Sequence, residues 1–220
     1  MTAASGDAKG AARPADLEGL RARVEAYYTR KVQTFGATPL GVDWPSTPSL
    51  ELRLVQLLKV CDFSVPLALN DLGCGYAAAL DLIERRWPAN QVDYLGVDLS
   101  ADMIAHARRR WHHRPGADFI VGHECGRAAD YSIASGVFNV RLDHSAQLWT
   151  AHIQAMLMDL HRSSRKGFAV NFMLPAAVTG IPELYGSHPD PWVAYCETML
   201  GRSVDLVQGY GLPEYTLLVR

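Results

Sequence analysis

The chain has 220 residues, 49% hydrophobic and 20% charged, with a formal net charge of −2. That length suits one α/β domain with a short extension, and it can bury a core without disulfides or metals. The balanced charge argues against a nucleic-acid partner or an anionic membrane surface, which require a basic excess or stripe, and no apolar run approaches a membrane span.

Residues 1–16 are rich in Ala, Gly, Ser and Pro, lack the apolar stretch of a signal peptide, and read as a disordered tail. From Leu17 to Thr34, Leu17, Leu20, Val24, Tyr27 and Tyr28 gather near one face, which predicts a helix. A Gly- and Pro-rich loop holding Trp44 follows. A second helix is expected from about Ser49, its N-cap, on the stripe Leu50, Leu54, Leu57 and Leu58. An apolar strand then runs from Val65 into a glycine turn, and a helix over 77–87 stops before Pro88.

The alternation continues. A strand over 92–100 leads to a helix over 101–111 capped by Ser100, and the basic run after it reads as a solvated helix end. Strands follow over 117–123 and 130–140, a long helix over 145–163, a strand over 166–174, a helix over 191–200, and strands over 203–210 and 214–220. Strands alternating with helices predict a parallel sheet covered on both faces. The last two strands have no helix between them and must form an antiparallel hairpin. The connection before the last helix is unusually long, a place where binding sites are often shaped. The cysteines at 61, 74, 125 and 196 show no C-x-x-C spacing. They read as small buried hydrophobes in a reducing, cytoplasmic protein with no metal.

Ligands of open α/β sheets bind at the carboxyl ends of the strands. The first such end reads Asn70-Asp71-Leu72-Gly73-Cys74-Gly75-Tyr76-Ala77. Its glycines permit a tight turn and bring bare peptide against a ligand. Asp98 ends the second strand 23 residues after Gly75, where a carboxylate can accept hydrogen bonds from ribose hydroxyls. Gly73, Gly75 and Ala78 also fit the dinucleotide pattern G-x-G-x-x-A. An NAD(P)-dependent oxidoreductase is therefore an alternative, and fold alone leaves a non-catalytic cofactor-binding module open as well.

From about Val65 to Arg220 the sequence resembles the class I S-adenosylmethionine-dependent methyltransferases. DLGCGYA is similar to their D-x-G-x-G-x-G, with Ala77 at the third glycine, and Asp98 in GVDLSADMI matches their acid after strand two. The resemblance implies a Rossmann-like, seven-stranded, mostly parallel sheet with helices on both faces and an antiparallel last strand. It implies S-adenosylmethionine as cofactor, held by Asp71, Gly73, Cys74, Gly75 and Asp98, with Leu99 and Met103 flanking the adenine. His123 stands where the family often carries an acid against the adenine amine. Ser135 and Gly136, in DYSIASGVFN, match the segment lining the methyl-transfer site. YYTRKVQTFGATPLGVDW and SLELRLVQLLKV resemble a bacterial subgroup in which they cover the cofactor. Residues 17–62 are thus expected to form a helical lid lined by Tyr27, Tyr28, Trp44 and Arg53, ahead of a methyltransferase domain at 63–220. Asp71 before the glycines, and the lack of a later Tyr-x-x-x-Lys, weigh against the oxidoreductase.

The balanced charge and modest lid point to a small-molecule acceptor. Asn139 is the candidate to orient it and His144 the candidate general base, with Tyr185 and His188 on the long connection able to reach the same space.

Overall fold

In the computed structural model, which describes residues 13–88 and 91–220, the period-two alternation of the strands sorts apolar side chains into two cores. Leu67 and Leu69 of β1 (Leu67–Leu72) face one core, and Leu72 faces the other. β2 (Val92–Asp98) divides likewise, with Val92 and Tyr94 on the first side and Leu95 and Val97 on the second. Helices α2 (Thr47–Leu57), α3 (Ala78–Arg86) and α4 (Ala101–Trp111) cover the first core. Helices α1 (Pro14–Phe35), α5 (Ala146–Ser163) and α6 (Asp190–Thr198) cover the second.

With β3 (Ala117–Val121), β4 (Ala129–Ala134), β5 (Ser164–Met173), β6 (Val204–Val207) and β7 (Glu214–Val219), the sheet has seven strands in the order β3-β2-β1-β4-β5-β7-β6. β1 to β5 are parallel, and β7 inserts antiparallel between β5 and β6. The strand order reverses between β1 and β4, the switch point at which such sheets take ligands.

Among the boundaries that differ from the sequence expectation, three have a local cause. α1 starts at Pro14, so Pro14 to Asp16 are helix rather than tail. Proline suits the first helical turn, and the Asp16 carboxylate accepts the Arg13 N–H. Residues 1–12 of that expected tail lie outside the described residues. α2 starts at Thr47 with Ser46, not Ser49, as its cap. β4 stops at Ala134, well short of Val140, because Gly136 turns the backbone to φ +73°. No described helix is long and apolar enough to cross a membrane.

Phe172 of β5 stacks on Phe138 at 4.7 Å, on Tyr215 at 5.4 Å and on Trp192 at 5.6 Å between ring centroids. This stack joins the sheet to the segments before α5 and within α6. Phe172→Ala should cost about 3–5 kcal/mol in urea unfolding. A loss below about 1 kcal/mol would show that the neighbours collapse into the gap.

Candidate cofactor and active site

The site begins with a carboxylate at the end of β2. Asp98 Oδ2 accepts the Gly75 N–H at 2.9 Å and Oδ1 accepts the Ser100 N–H at 2.8 Å. One side chain thereby fixes both the glycine turn after β1 and the entry to α4. Gly73 and Gly75 lie at φ +77° and +55°, and a Cβ on Gly73 would come within 2.3 Å of Val137. Burial pushes the Asp98 carboxyl up to about 6, although the two N–H groups act against it. Two further lone-pair directions remain for a ligand.

A cavity, partly open to solvent, lies over these strand ends. Its floor is Leu72, Gly73 and Gly75 from the first turn, Asp98 and Leu99 after β2, and Gly122 and His123 after β3. Ser135, Gly136 and Val137 close it after β4, and Met103 of α4 and His152 and Met156 of α5 form its sides. Arg21, Val24 and Tyr28 of α1, with Val42 and Trp44 of the loop behind it, form the roof. α1 is tied down by Thr29 Oγ1 to Ser100 Oγ (2.7 Å), by Gln33 to Asp102 (2.7 Å), and by Arg23 to Asp143 (2.5 Å).

A chain of buried polar contacts holds the Trp44 side. Asn171 Oδ1 accepts the Gly136 N–H at 2.8 Å, and Asn171 Nδ2 donates to Glu214 Oε2 at 2.6 Å. Glu214 pairs with Arg53 at 2.5 Å, and Arg53 donates to the Ser49 carbonyl at 2.8 Å. The Arg53 guanidinium lies 3.6 Å from the centre of the Trp44 ring. That ring closes on Gly136, where a Cβ would sit 2.5 Å from it. Position 136 therefore needs glycine for space as well as for its positive φ.

Gly73, Gly75, Asp98, Leu99, Met103, His123, Ser135, Gly136 and Trp44 line the cavity, as does Tyr28, while Tyr27 does not. Five expected site residues stand off the wall. Asp71 is buried beneath the turn, accepts the Tyr94 hydroxyl at 2.5 Å and is lifted by desolvation to about 7. Cys74 is buried with its thiol toward the Gly75 carbonyl. Arg53 faces Glu214 and supports Trp44 from behind. Asn139 is 4% exposed and braces the Gly136 turn from outside, its N–H reaching the Gly136 carbonyl and its own carbonyl accepting from Tyr185. His144 precedes α5 and lines a surface groove with Arg13, Leu20, Arg23 and Leu148, because the chain turns outward after β4. His188 and Tyr185 also lie off the wall.

Sequence reasoning missed Arg21, Val24, Val42, Gly122, Val137, His152 and Met156. His152 and Met156 stand four apart on α5, a spacing that marked a shared face but that read as core.

Three buried atoms of wall residues, Arg21 Nε, Ser135 Oγ and His152 Nδ1, have no hydrogen-bond partner. Together with the Asp98 carboxylate and a glycine-lined floor, they fit a ligand that carries both hydroxyls and a heteroaromatic ring.

A family model described as a methyltransferase domain matches residues 70–167. A Mycobacterium tuberculosis protein that bears a methyltransferase name is 39% identical over 165 residues, covering 74% of this chain and 98% of that protein. The trans-aconitate 2-methyltransferase of Afipia carboxidovorans is 40% identical over 81 residues, which span 35% of this chain and 30% of that enzyme. Among solved structures, magnesium protoporphyrin IX methyltransferase from Synechocystis with bound S-adenosylhomocysteine shares the fold at a TM-score of 0.57 and 15% identity, over 79% of this chain and 82% of that one.

Arg53→Met would leave Glu214 buried without its partner. It should cost about 3–5 kcal/mol in chemical unfolding, and adding Glu214→Gln should recover part of that loss. A double variant no more stable than the single one would show that the pair is not what stabilises this corner.

Proposed function

The chain belongs to the class I S-adenosylmethionine-dependent methyltransferases, and within that family we propose that it methylates a small-molecule acceptor held beneath α1. The observation that carries this reading is the roof. α1 and Trp44 cover the strand ends, and a cavity roofed in this way suits a small acceptor rather than a polymer. The family assignment also sets aside the oxidoreductase and the non-catalytic module. The trans-aconitate enzymes, named for a small molecule, match over part of this chain and are compatible with the proposal.

S-adenosylmethionine supplies a methyl group activated by a positively charged sulfur, transferred by in-line displacement. The residues of this chain bind, orient and exclude water. Asp98 would hold the ribose hydroxyls, Gly73 and Gly75 would let the backbone approach, and Leu99 and Met103 would flank the base. Val24, Tyr28, Val42 and Val137 give the cavity an apolar lining that keeps water from the reacting atoms. Positioning of this kind can contribute about 7–11 kcal/mol toward the barrier. Asn139 contributes from behind the wall, by fixing the turn that carries Ser135 and Gly136.

Release of S-adenosylhomocysteine, followed with panels of small acids, amines and phenols and with RNA and protein, tests the acceptor class. Turnover with a small acceptor is expected, and turnover with macromolecules alone would overturn the proposal.

Asp98→Asn should weaken S-adenosylmethionine binding by about 1.5–3 kcal/mol in calorimetry, since the amide accepts less well and points N–H toward N–H. The pH dependence has a definite sign. A ligand that needs the carboxylate competes with a proton held up to about 6, so wild-type affinity should fall about tenfold from pH 7 to pH 5. Stability of the ligand-free fold runs the other way. The folded carboxyl holds its proton more tightly than the unfolded one, so its contribution is present in acid and is lost as pH rises through about 6. A flat affinity profile in the wild type would remove Asp98 from the ribose contact.

A further inference from the structure

Among the described residues that line the cavity, Arg21 is the only permanent cation. Arg21, Val24 and Tyr28 stand at i, i+3 and i+7 on α1, so they share the face that forms the roof. The other cations along that helix are occupied, Arg23 by Asp143 and Lys31 by Asp43. Arg21 has no hydrogen bond or ion pair among the described residues, and only its Nε is shut off from solvent. The two terminal nitrogens of the guanidinium are therefore accessible and unpaired. Their charge is felt on the α5 wall of the cavity, where burial first and Arg21 next lower the His152 imidazole to about 4.

An unpaired guanidinium over an apolar cavity calls for an anion. Asp98 does not supply it, being held by the Gly75 and Ser100 N–H groups and assigned to the ribose. In net charge Asp98 and Arg21 cancel. S-adenosylmethionine then adds a net positive charge, because its sulfonium and ammonium outweigh one carboxylate. An acceptor with one negative charge leaves the covered site neutral, which a space withdrawn from water favours. The wall is also poorly equipped to take a proton from a neutral acceptor. His152 is too weak a base near neutral pH, burial holds the Tyr28 phenol well above its usual range, and the His123 side chain is 44% exposed. A nucleophile that is already ionised needs no base.

We infer that the acceptor is a small carboxylic acid with an apolar body, held by Arg21 through its carboxylate and methylated on that group. Val24, Tyr28, Val42, Trp44 and Val137 would meet the apolar body. One carboxylate oxygen pairs with Arg21 and the other attacks. A C–O bond forms to the methyl carbon as the C–S bond breaks, and the electron pair of that bond leaves with sulfur. Carboxylate and sulfonium charges cancel, giving a methyl ester and S-adenosylhomocysteine with no proton transferred. The inference rests on the small-acceptor reading above.

Methyl-labelled S-adenosylmethionine tests it with benzoate, cinnamate, indole-3-acetate and octanoate, set beside their amides and simple phenols and amines. The label should enter an ester that mild alkali converts to labelled methanol, and weakly buffered reactions should release no proton. The amides should be inert. Arg21→Met should raise KM for the acid about 10- to 100-fold, the worth of a charge-assisted hydrogen bond, and leave S-adenosylhomocysteine affinity unchanged in calorimetry. Arg21→Lys should recover part of the loss. Turnover of phenols or amines but of no acid overturns the inference. So does an Arg21→Met protein that loses S-adenosylhomocysteine affinity and keeps the acid KM, since Arg21 would then serve the cofactor's own carboxylate. Should no panel member turn over, titration of the acids into protein saturated with S-adenosylhomocysteine decides: an acid bound more tightly than its amide supports the inference, and none so bound overturns it. Turnover of macromolecules alone would remove the small-acceptor reading, and the inference with it.

Discussion

The buried pair between Arg53 and Glu214 is the constraint around which the Trp44 side of the site is arranged. Both side chains are almost wholly withdrawn from water, and desolvation costs several kcal/mol per ion. Both carboxylate oxygens of Glu214 and both terminal nitrogens of Arg53 are engaged, while Arg53 Nε is buried without a partner. Glu214 also accepts from Asn171, while Arg53 donates to the Ser49 carbonyl and lays its flat face on Trp44. The planar guanidinium makes these contacts at once, which a lysine ammonium cannot. The contacts close a circuit from Gly136 through β5, β7, α2 and Trp44 back to Gly136. Two wall residues of the cavity are thus positioned by charges that never touch it.

Asp98 is the second fixed point and works differently. Its two backbone bonds shape the turn and the α4 entry, while the rest of its capacity faces the cavity. A carboxylate serving both purposes sits at a poise set by burial on one side and N–H donors on the other. Asp71, lower in the same turn, is a contrasting case. Its partner is the Tyr94 hydroxyl, and its work is to hold the strands beneath the glycines.

The parts of the molecule legible in the sequence were those set by local rules. Alternating apolar strands and intervening helices determine a parallel sheet, and the short link before Glu214 determines the antiparallel end. Gly73, Gly75 and Asp98 could be placed because each stands at a strand end, where topology fixes the site. Residues that depend on distant partners were misplaced. Arg53 reads as a cation for a ligand because nothing near it in sequence reveals Glu214 at the start of β7. His144 reads as a base because the alternation after β4 continues through Val140, whereas the positive φ at Gly136 ends the strand and sends the chain outward. His152 went unnoticed because its neighbours on α5 are core residues. Only the fold shows that this face of the helix borders a cavity.

Ser100 explains how the roof and the floor come to be one structure. Its N–H goes to Asp98, and its hydroxyl both caps α4 through the Met103 N–H and meets Thr29 of α1. A residue at a helix N-terminus would ordinarily satisfy orphan donors of its own helix and nothing more. Here the same hydroxyl carries the roof. Any movement of α1 that breaks the Thr29 contact acts on the atom that positions Met103 and lies next to the Asp98 carboxylate. The α1 roof and the start of α4 that carries Met103 are therefore held by one serine hydroxyl.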